Sequence, residues 1–371
     1  MSKTLADYRP QSLSDFVGFE RYKKRLRSTI DSLSVGIHDA AERDLRGGHN
    51  CVNRIFVATP HLLIIGGPGT GKTTLGKLYA KELLGRAQAE KWPFVLGPGA
   101  TGLDEWTAPA TPPATEMDRY RYVRLDASHL KSYDVLDRYI YFLQAYGVIL
   151  IDEIHNLRPE LQQTLLQLMH DGEWECSYTK RLEKRMGFTI IGTTTDQSKL
   201  ASPLKERFEM QIELYGYLAE DLEAISTTTA AKAGMNLTET ARAELINRGR
   251  GTPRDIVRII NSLFRIRTAK QMRLDVPVEM AEIIEAAEFV NFGPGGLEPA
   301  HARLLKYLLA NKLTPVSGKC LADACGIGTL KNLEEWEVLL KGRGYVTTGS
   351  RGRTITRSGE NILAEYIAAM E

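Results

Sequence analysis

The sequence Gly66-Gly67-Pro68-Gly69-Thr70-Gly71-Lys72-Thr73 decides the fold of the first half of this chain. It fits the pattern G-x-x-x-x-G-K-[ST], follows a short apolar run at residues 61–65 and precedes a helical pattern at residues 75–84. In a strand, glycine-rich turn and helix of this kind, backbone N–H groups surround a phosphate at the helix N-terminus. The stretch therefore predicts a nucleotide-binding loop.

The residue types in this loop suit ATP and Mg²⁺. We expect Lys72 to reach the β- and γ-phosphates and the Thr73 hydroxyl to ligate Mg²⁺. The residues expected to bind the nucleotide are Gly66, Gly67, Pro68, Gly69, Thr70, Gly71, Lys72, Thr73 and Thr74.

A second apolar run, Val148-Ile149-Leu150-Ile151, ends in the carboxylates Asp152 and Glu153. Because the carboxyl ends of parallel strands share one edge of a sheet, we expect this pair beside the phosphate loop. Asp152 would hold Mg²⁺, and Glu153 would orient and deprotonate the attacking water. His155 follows closely, but its position favours a structural role.

A third run, at residues 188–193, ends in Thr193-Thr194-Thr195. A hydroxyl there could sense the γ-phosphate, and we favour Thr195, with Thr194 as the neighbouring alternative and a turn that only caps the strand as the other. Three such runs separated by helical patterns predict an α/β fold with a parallel sheet over residues 1–214.

Composition narrows the protein class. The chain has 371 residues, 43% of them apolar and 25% charged, which predicts a soluble globular protein of two or three domains. No apolar stretch approaches the ~18 residues of a membrane span. Four cysteines without a CxxC pair argue against a disulfide scaffold or zinc site and favour the cytoplasm. The net charge of +2 neither requires nor excludes nucleic acid.

The pattern changes along the chain. A stretch rich in proline and glycine at about residues 86–120 predicts an insert in the first domain. Residues 215–292 show amphipathic helical spacing, residues 291–296 predict a linker, and residues 297–371 predict helices followed by a β-hairpin, as in a winged helix.

Several arginines are candidates for binding phosphate. Arg254 follows Gly251-Thr252-Pro253 at a predicted helix start, where it could touch nucleotide. Arg351 and Arg353 lie at the predicted hairpin tip, where they suit DNA phosphates, although the hairpin could also be merely solvated. Arg207, taken alone, is a surface cation.

Together these motifs resemble the RuvB family of AAA+ ATPases, which drive branch migration of Holliday junctions. The resemblance covers most of the chain: GPGTGKTT, IDEIH, IIGTTT, SPLKERF, RGTPR and RGR occur in order, after an opening segment, Tyr8 to Gly18, that is similar to the family's. Walker motifs alone would indicate only some P-loop NTPase, so the order of all six is the specific signal.

The resemblance implies an AAA+ P-loop domain, a small helical lid and a C-terminal winged helix. It implies that Thr195 is sensor 1, Arg207 the arginine finger donated to the neighbouring subunit and Arg254 sensor 2. It also implies contact with adenine by the opening segment, at Tyr8, Arg9, Phe16 and Val17. The same resemblance implies a ring, most simply a hexamer. It also implies that the ring acts as a helicase or translocase on duplex DNA or four-way junctions in recombination or repair.

The insert has no counterpart in that family, and residues 174–187 are shorter and more charged than the family's RuvA-docking hairpin. Because of these differences, the expected partner is either a RuvA-like protein or another protein. A divergent relative from a phage or mobile element fits the sequence as well. The alternative function is a nucleotide-switched adaptor or loader that assembles on DNA and recruits another enzyme. A third possible function is a protein remodeller, but the basic hairpin with Arg351 and Arg353 argues against it.

Overall fold

The computed structural model describes residues 9–46, 59–90, 120–176, 179–184 and 187–369. These residues form two compact units, Pro10–Gly216 and a second unit that contains Arg9 and the chain from Tyr217 onward. Among the described helices, none has the length and apolar character needed to cross a membrane.

The first unit is built on a five-stranded sheet in which every pairing is parallel. Its strands lie in the order β2-β3-β6-β1-β7 and are β1 (Leu62–Gly66), β2 (Tyr120–Asp126), β3 (Leu143–Asp152), β6 (Thr189–Thr194) and β7 (Met210–Leu214). In the part of the chain that connects β3 to β6, β4 (Glu173–Cys176) and β5 (Arg181–Lys184) form a separate antiparallel hairpin.

Helices cover both faces of the sheet. Leu62 and Ile64 belong to one buried core and Leu63 and Ile65 to the other, because successive side chains of a strand point to opposite faces. The first core includes residues of α1 (Glu20–Arg46) and α2 (Lys72–Ala89), and the second includes residues of α3 (Tyr133–Tyr141), α4 (Pro159–Asp171) and α5 (Ser202–Glu206). The predicted α/β fold is confirmed.

The first residues of the predicted insert, about residues 86–120, belong to a helix. Residues 86–89 are the end of α2, Glu90 caps that helix, and Tyr120 starts β2. Residues 91–119 lie outside the described part of the chain.

Four helices form the lid at the start of the second unit: α6 (Ala219–Lys232), α7 (Glu239–Arg248), α8 (Pro253–Ala269) and α9 (Met280–Phe289). Arg267 of α8 is fully buried, and its Nε and Nη2 each lie 2.7 Å from the carboxylate of Glu282 in α9. The same guanidinium donates to the carbonyls of Arg273, Val276 and Pro277. A buried arginine with this many acceptors fixes α8, α9 and the loop between them.

The remainder is a winged helix, which confirms that prediction. Its elements are α10 (Pro299–Ala310), α11 (Gly318–Ala324), α12 (Leu330–Gly342), β8 (Val346–Gly349), β9 (Gly352–Ile355) and α13 (Arg357–Ala368). Val316 exchanges two backbone hydrogen bonds with Arg353 beside the hairpin. Gly352 has φ 138°, and a Cβ there would lie 2.4 Å from the carbonyl oxygen of Val316, so this close approach requires glycine.

The linker predicted at residues 291–296 is instead a packed joint between the lid and the winged helix. Phe292 is fully buried, and its carbonyl accepts a hydrogen bond from Arg248 Nη1 at 3.0 Å. A Cβ on Gly293 would lie 2.5 Å from the ring of Tyr366. Glycine here permits close packing rather than flexibility, so the proline and glycine content misled the prediction.

Candidate active site

The phosphate loop joins β1 to α2 at the carboxyl edge of the sheet. Gly66 ends β1, and a Cβ on it would lie 2.7 Å from the carbonyl oxygen of Leu214 in β7. Gly69 and Gly71 have φ of 80° and 93°, a region that glycine enters at no steric cost. Since α2 begins at Lys72, the loop directs backbone N–H groups and the positive helix end toward a phosphate.

Lys72 is buried at the mouth of this loop. Its Nζ donates to the carbonyl oxygens of Gly66 at 2.9 Å and Gly67 at 3.0 Å. The same Nζ lies 3.9 Å from Glu153 Oε1. The structure therefore places the predicted phosphate-binding cation next to the predicted base.

The two predicted metal ligands are brought together. Thr73 Oγ1 donates to Asp152 Oδ1 at 2.8 Å, and Thr193 Oγ1 donates to the same oxygen at 3.0 Å. A hydroxyl and a carboxylate oxygen are hard ligands of the kind that Mg²⁺ takes together with waters and substrate phosphates. The donor set at Thr73 and Asp152 thus fits magnesium.

Arg124 in β2 belongs to this cluster and was missed from the sequence. Its Nε and Nη2 lie 2.7 Å and 2.5 Å from Asp152 Oδ2. Because β2 pairs with β3 in parallel, with Asp126 opposite Asp152, a side chain near the end of β2 reaches the end of β3. An arginine on a strand next to the one that carries Asp152 is the signal that could have revealed it.

Glu153 has a left-handed backbone, with φ 48° and ψ 49°. For a residue other than glycine this conformation costs on the order of 1 kcal/mol, and such residues cluster at functional sites. Glu153 Oε2 accepts hydrogen bonds from the backbone nitrogen and the hydroxyl of Thr195, both at 3.1 Å. The predicted base and the predicted sensor are therefore in direct contact.

His155 also lies at this carboxylate, although its position in the sequence favoured a structural role. Its Nδ1 is 3.3 Å from Glu153 Oε2 and 3.0 Å from Thr194 Oγ1. The Thr194 hydroxyl oxygen accepts from the backbone nitrogen of Asp196 at 3.0 Å. A chain of polar contacts thus runs from the end of β6 through His155 to Glu153.

Arg207 and Arg254 are exposed. Arg207 follows the last residue of α5, and Arg254 is the second residue of α8, after Thr252 at the N-cap and Pro253. Neither guanidinium has a hydrogen bond or ion pair with another described residue. Both are available to a ligand or a neighbouring subunit, and their roles as finger and sensor stay predictions.

The opening segment is described only in part. Tyr8 lies outside the described residues. Arg9 is exposed, Val17 is half-buried, and Phe16 is buried in the core with residues of α1 and α2. Their contact with adenine stays a prediction.

The two arginines of the wing differ in their surroundings. Arg351 is exposed at the turn between β8 and β9. Arg353 Nε and Nη2 instead lie 2.7 Å and 3.3 Å from the carboxylate of Glu337, which is 1% exposed and also accepts from Lys341 at 2.6 Å. Burial raises the pKa of Glu337, but the hydrogen bonds from Arg353 and Lys341 outweigh this and hold that pKa below its usual value. Arg353 is therefore engaged within the domain, and a DNA contact at this tip rests on Arg351.

The chain is similar to known ATPases in its sequence and in its fold. Residues 62–215 match the model of AAA, the ATPase family associated with various cellular activities. The chain is 27% identical over 366 residues to the Holliday junction branch migration complex subunit RuvB of Fervidobacterium nodosum, covering 96% of this chain and 88% of that protein. It is 25% identical over 359 residues to the RuvB of Thermotoga maritima, covering 94% and 89%. The chain is therefore similar to RuvB proteins over nearly its whole length, and its residues 62–215 form an AAA ATPase domain.

A solved structure of the Thermotoga maritima RuvB Holliday junction branch migration motor shares the fold. Its TM-score to this chain is 0.70 at 23% identity, covering 96% of this chain and 98% of that one. The match extends beyond the ATPase domain, so the shared fold includes the lid and the winged helix of this chain.

Proposed function

We propose that this RuvB-like protein is an ATP-driven, ring-forming translocase that moves duplex or branched DNA. The observation that carries the proposal is the packed joint at residues 291–296. It connects the lid, which contains Arg254, to the winged helix, which contains Arg351. A movement of the lid in response to nucleotide would therefore carry the DNA-binding domain with it.

Hydrolysis of ATP uses the cluster at the carboxyl edge of the sheet. Glu153 orients a water and takes its proton as the water attacks the γ-phosphorus. Lys72 compensates the charge of the β- and γ-phosphates, and Thr195 holds Glu153 at the strand end. Thr73 and Asp152 would hold a magnesium ion, which supplies further compensation of phosphate charge when it is bound.

Assembly into a ring completes the site. In this proposal Arg207 of one subunit reaches the γ-phosphate bound by its neighbour, so hydrolysis depends on the interface. The exposed position of Arg207 and its lack of a partner among the described residues suit that role. In a closed ring, most simply a hexamer, every subunit gives its Arg207 to one neighbour and receives Arg207 from the other.

The joint transmits movement through Arg250, four residues before Arg254. The Arg250 guanidinium pairs with Glu298, which caps α10 of the winged helix. It also lies over the ring of Phe292, 5.3 Å from the centroid. On the winged-helix side, Arg343 Nη2 donates to the carbonyl of Asn247 in α7 at 3.1 Å. These contacts link α7 and the turn before α8 to the start of α10 and the end of α12 in the winged helix.

DNA would be held through its phosphates by the exposed wing residue Arg351. A backbone contact of this kind positions the protein without reading base sequence, which suits movement along DNA. Each neutralised phosphate contributes about −0.9 to the slope of log K against log salt. A four-way junction is the proposed substrate and a RuvA-like protein the proposed partner, because the matched relatives are named as subunits of a Holliday junction branch migration complex.

The test is dissociation of a labelled four-way junction by this protein alone, with a linear duplex beside it. We expect ATP-dependent dissociation that is lost in Lys72→Ala and reduced at least about tenfold in Arg351→Ala, since a phosphate contact is removed. Arg265→Ala, which removes an exposed arginine of α8, is the matched control and should behave as wild type. ATP-dependent DNA binding without any dissociation would contradict the translocase and support the adaptor or loader.

A further inference from the structure

The carboxylate of Asp152 is divided between two sets of donors. Its Oδ1 accepts from Thr73 at 2.8 Å and Thr193 at 3.0 Å, and its Oδ2 is bound by Arg124 Nε at 2.7 Å and Nη2 at 2.5 Å. The Asp152 side chain is 9% exposed, whereas the Arg124 side chain is 32% exposed. Four contacts on a nearly buried carboxylate leave it one orientation.

The two carboxylate oxygens of Asp152 therefore bind different groups. Oδ1 faces Thr73, the hydroxyl at the start of α2 that belongs to the proposed magnesium site. Oδ2 faces β2 and is taken entirely by Arg124. If Arg124 were removed, Oδ2 would be a buried acceptor without its charged partner, and the carboxylate would turn to find another.

We propose that Arg124 is a positioning residue that fixes the magnesium-binding carboxylate. It holds Oδ2 so that Oδ1 stays directed at Thr73. The proposal rests on the ATP and magnesium site described above and adds a residue from a strand that carries no recognised nucleotide motif.

Arg124 could have the opposite effect. A guanidinium close to a divalent cation repels it, so an arginine that merely occupied the carboxylate would weaken magnesium binding. The geometry favours positioning because the arginine contacts Oδ2 and leaves Oδ1 to Thr73. Residues that orient a metal ligand in this way typically contribute about 10- to 100-fold in metal affinity.

The test is a Mg²⁺ titration at a fixed concentration of a fluorescent ATP analogue, with nucleotide binding rather than turnover as the signal. In Arg124→Gln we expect the Mg²⁺ concentration for half-maximal tight binding to rise about tenfold. Arg124→Lys, which keeps the charge, should recover part of this shift. Arg273→Gln, which removes an exposed arginine paired with Asp275, should match wild type. Binding in EDTA should be equal in all four proteins, which shows that each folds.

An unchanged Mg²⁺ requirement in Arg124→Gln would overturn the role of Arg124 alone. A lower requirement would also overturn it and identify Arg124 as a competing cation. Failure of the wild-type protein to bind the analogue at all would instead overturn the ATP site itself.

Discussion

Thr195 binds one oxygen of Glu153 twice, since its backbone nitrogen and its hydroxyl each lie 3.1 Å from Oε2. The contact joins the ends of β3 and β6. Lys72 reaches the other oxygen of the same carboxylate, with Nζ 3.9 Å from Oε1. The orientation of the base therefore depends on both the phosphate loop and the end of β6.

Removal of the Thr195 hydroxyl should slow hydrolysis. Thr195→Val keeps the backbone N–H bond to Glu153 but loses the other, and we expect ATP turnover to fall about tenfold or more, as for loss of a hydrogen bond to a charged group. Thr195→Ser keeps the hydroxyl and should remain near wild type. Steady-state phosphate release measures both variants. Equal rates for Val and Ser would show that the hydroxyl has no part in turnover.

Glu153→Gln should abolish turnover and spare binding. The amide cannot take a proton from water, so we expect a loss of about 10²- to 10⁴-fold in hydrolysis. Affinity for a fluorescent ATP analogue should change little, because the phosphate loop is intact. Glu160→Gln, an exposed change in the first turn of α4, is the control. Hydrolysis that survived in Glu153→Gln would remove Glu153 from the role of base.

The central strands could be predicted from the sequence, whereas those at the edges could not. β1 and β6 are buried along their whole length, so they appear as apolar runs. β7 alternates buried and exposed residues, and β2 carries arginines, so neither forms such a run. Arg124 was missed for this reason, because its strand had to be found before its proximity to Asp152 could be inferred.

The pairing of side chains and the packing at glycines also could not be predicted from the sequence. Arg351 and Arg353 look equivalent at the wing, but only the fold brings Glu337 beneath Arg353. The glycines at residues 293–296 have the composition of a linker, and only the positions of Tyr366 and Arg250 show that they are sites of close approach.

Two inactive variants should complement each other if Arg207 acts on a neighbouring subunit. Lys72→Ala and Arg207→Ala should each lack hydrolysis alone. In a random equimolar mixture, about one interface in four combines an intact Lys72 with an intact Arg207, so activity near a quarter of wild type should return. Phosphate release after mixing measures this. A mixture as inactive as its components would place Arg207 outside a shared site.

Loosening the joint should separate hydrolysis from DNA movement. Glu298→Gln removes the charge that pairs with Arg250 while keeping the shape of the cap. We expect ATP hydrolysis to stay within about twofold and junction dissociation to fall about fivefold, since a partly buried ion pair at the joint is weakened. Arg250→Gln also loses the contact with Phe292, so it should reduce dissociation at least as much, and the double variant should be no worse than Arg250→Gln alone. Additive losses would show that the two residues do not act as a pair.

His61 should make the ATPase domain sensitive to acid. Burial lowers its pKa from 6.5 to about 4, and its Nδ1 accepts from the backbone nitrogen of Ile190 at 3.0 Å. Between these pH values the unfolded chain binds a proton that the folded chain does not, so stability falls as the pH falls below 6.5, by about 2 kcal/mol at pH 5. Urea unfolding at pH 7.5 and pH 5 measures the loss. His61→Asn keeps an acceptor for Ile190 without titrating, so its loss of unfolding free energy at pH 5 should be smaller. His129→Asn, at an exposed position, should lose as much unfolding free energy as wild type. An equal loss in His61→Asn and wild type would assign the acid sensitivity to other groups.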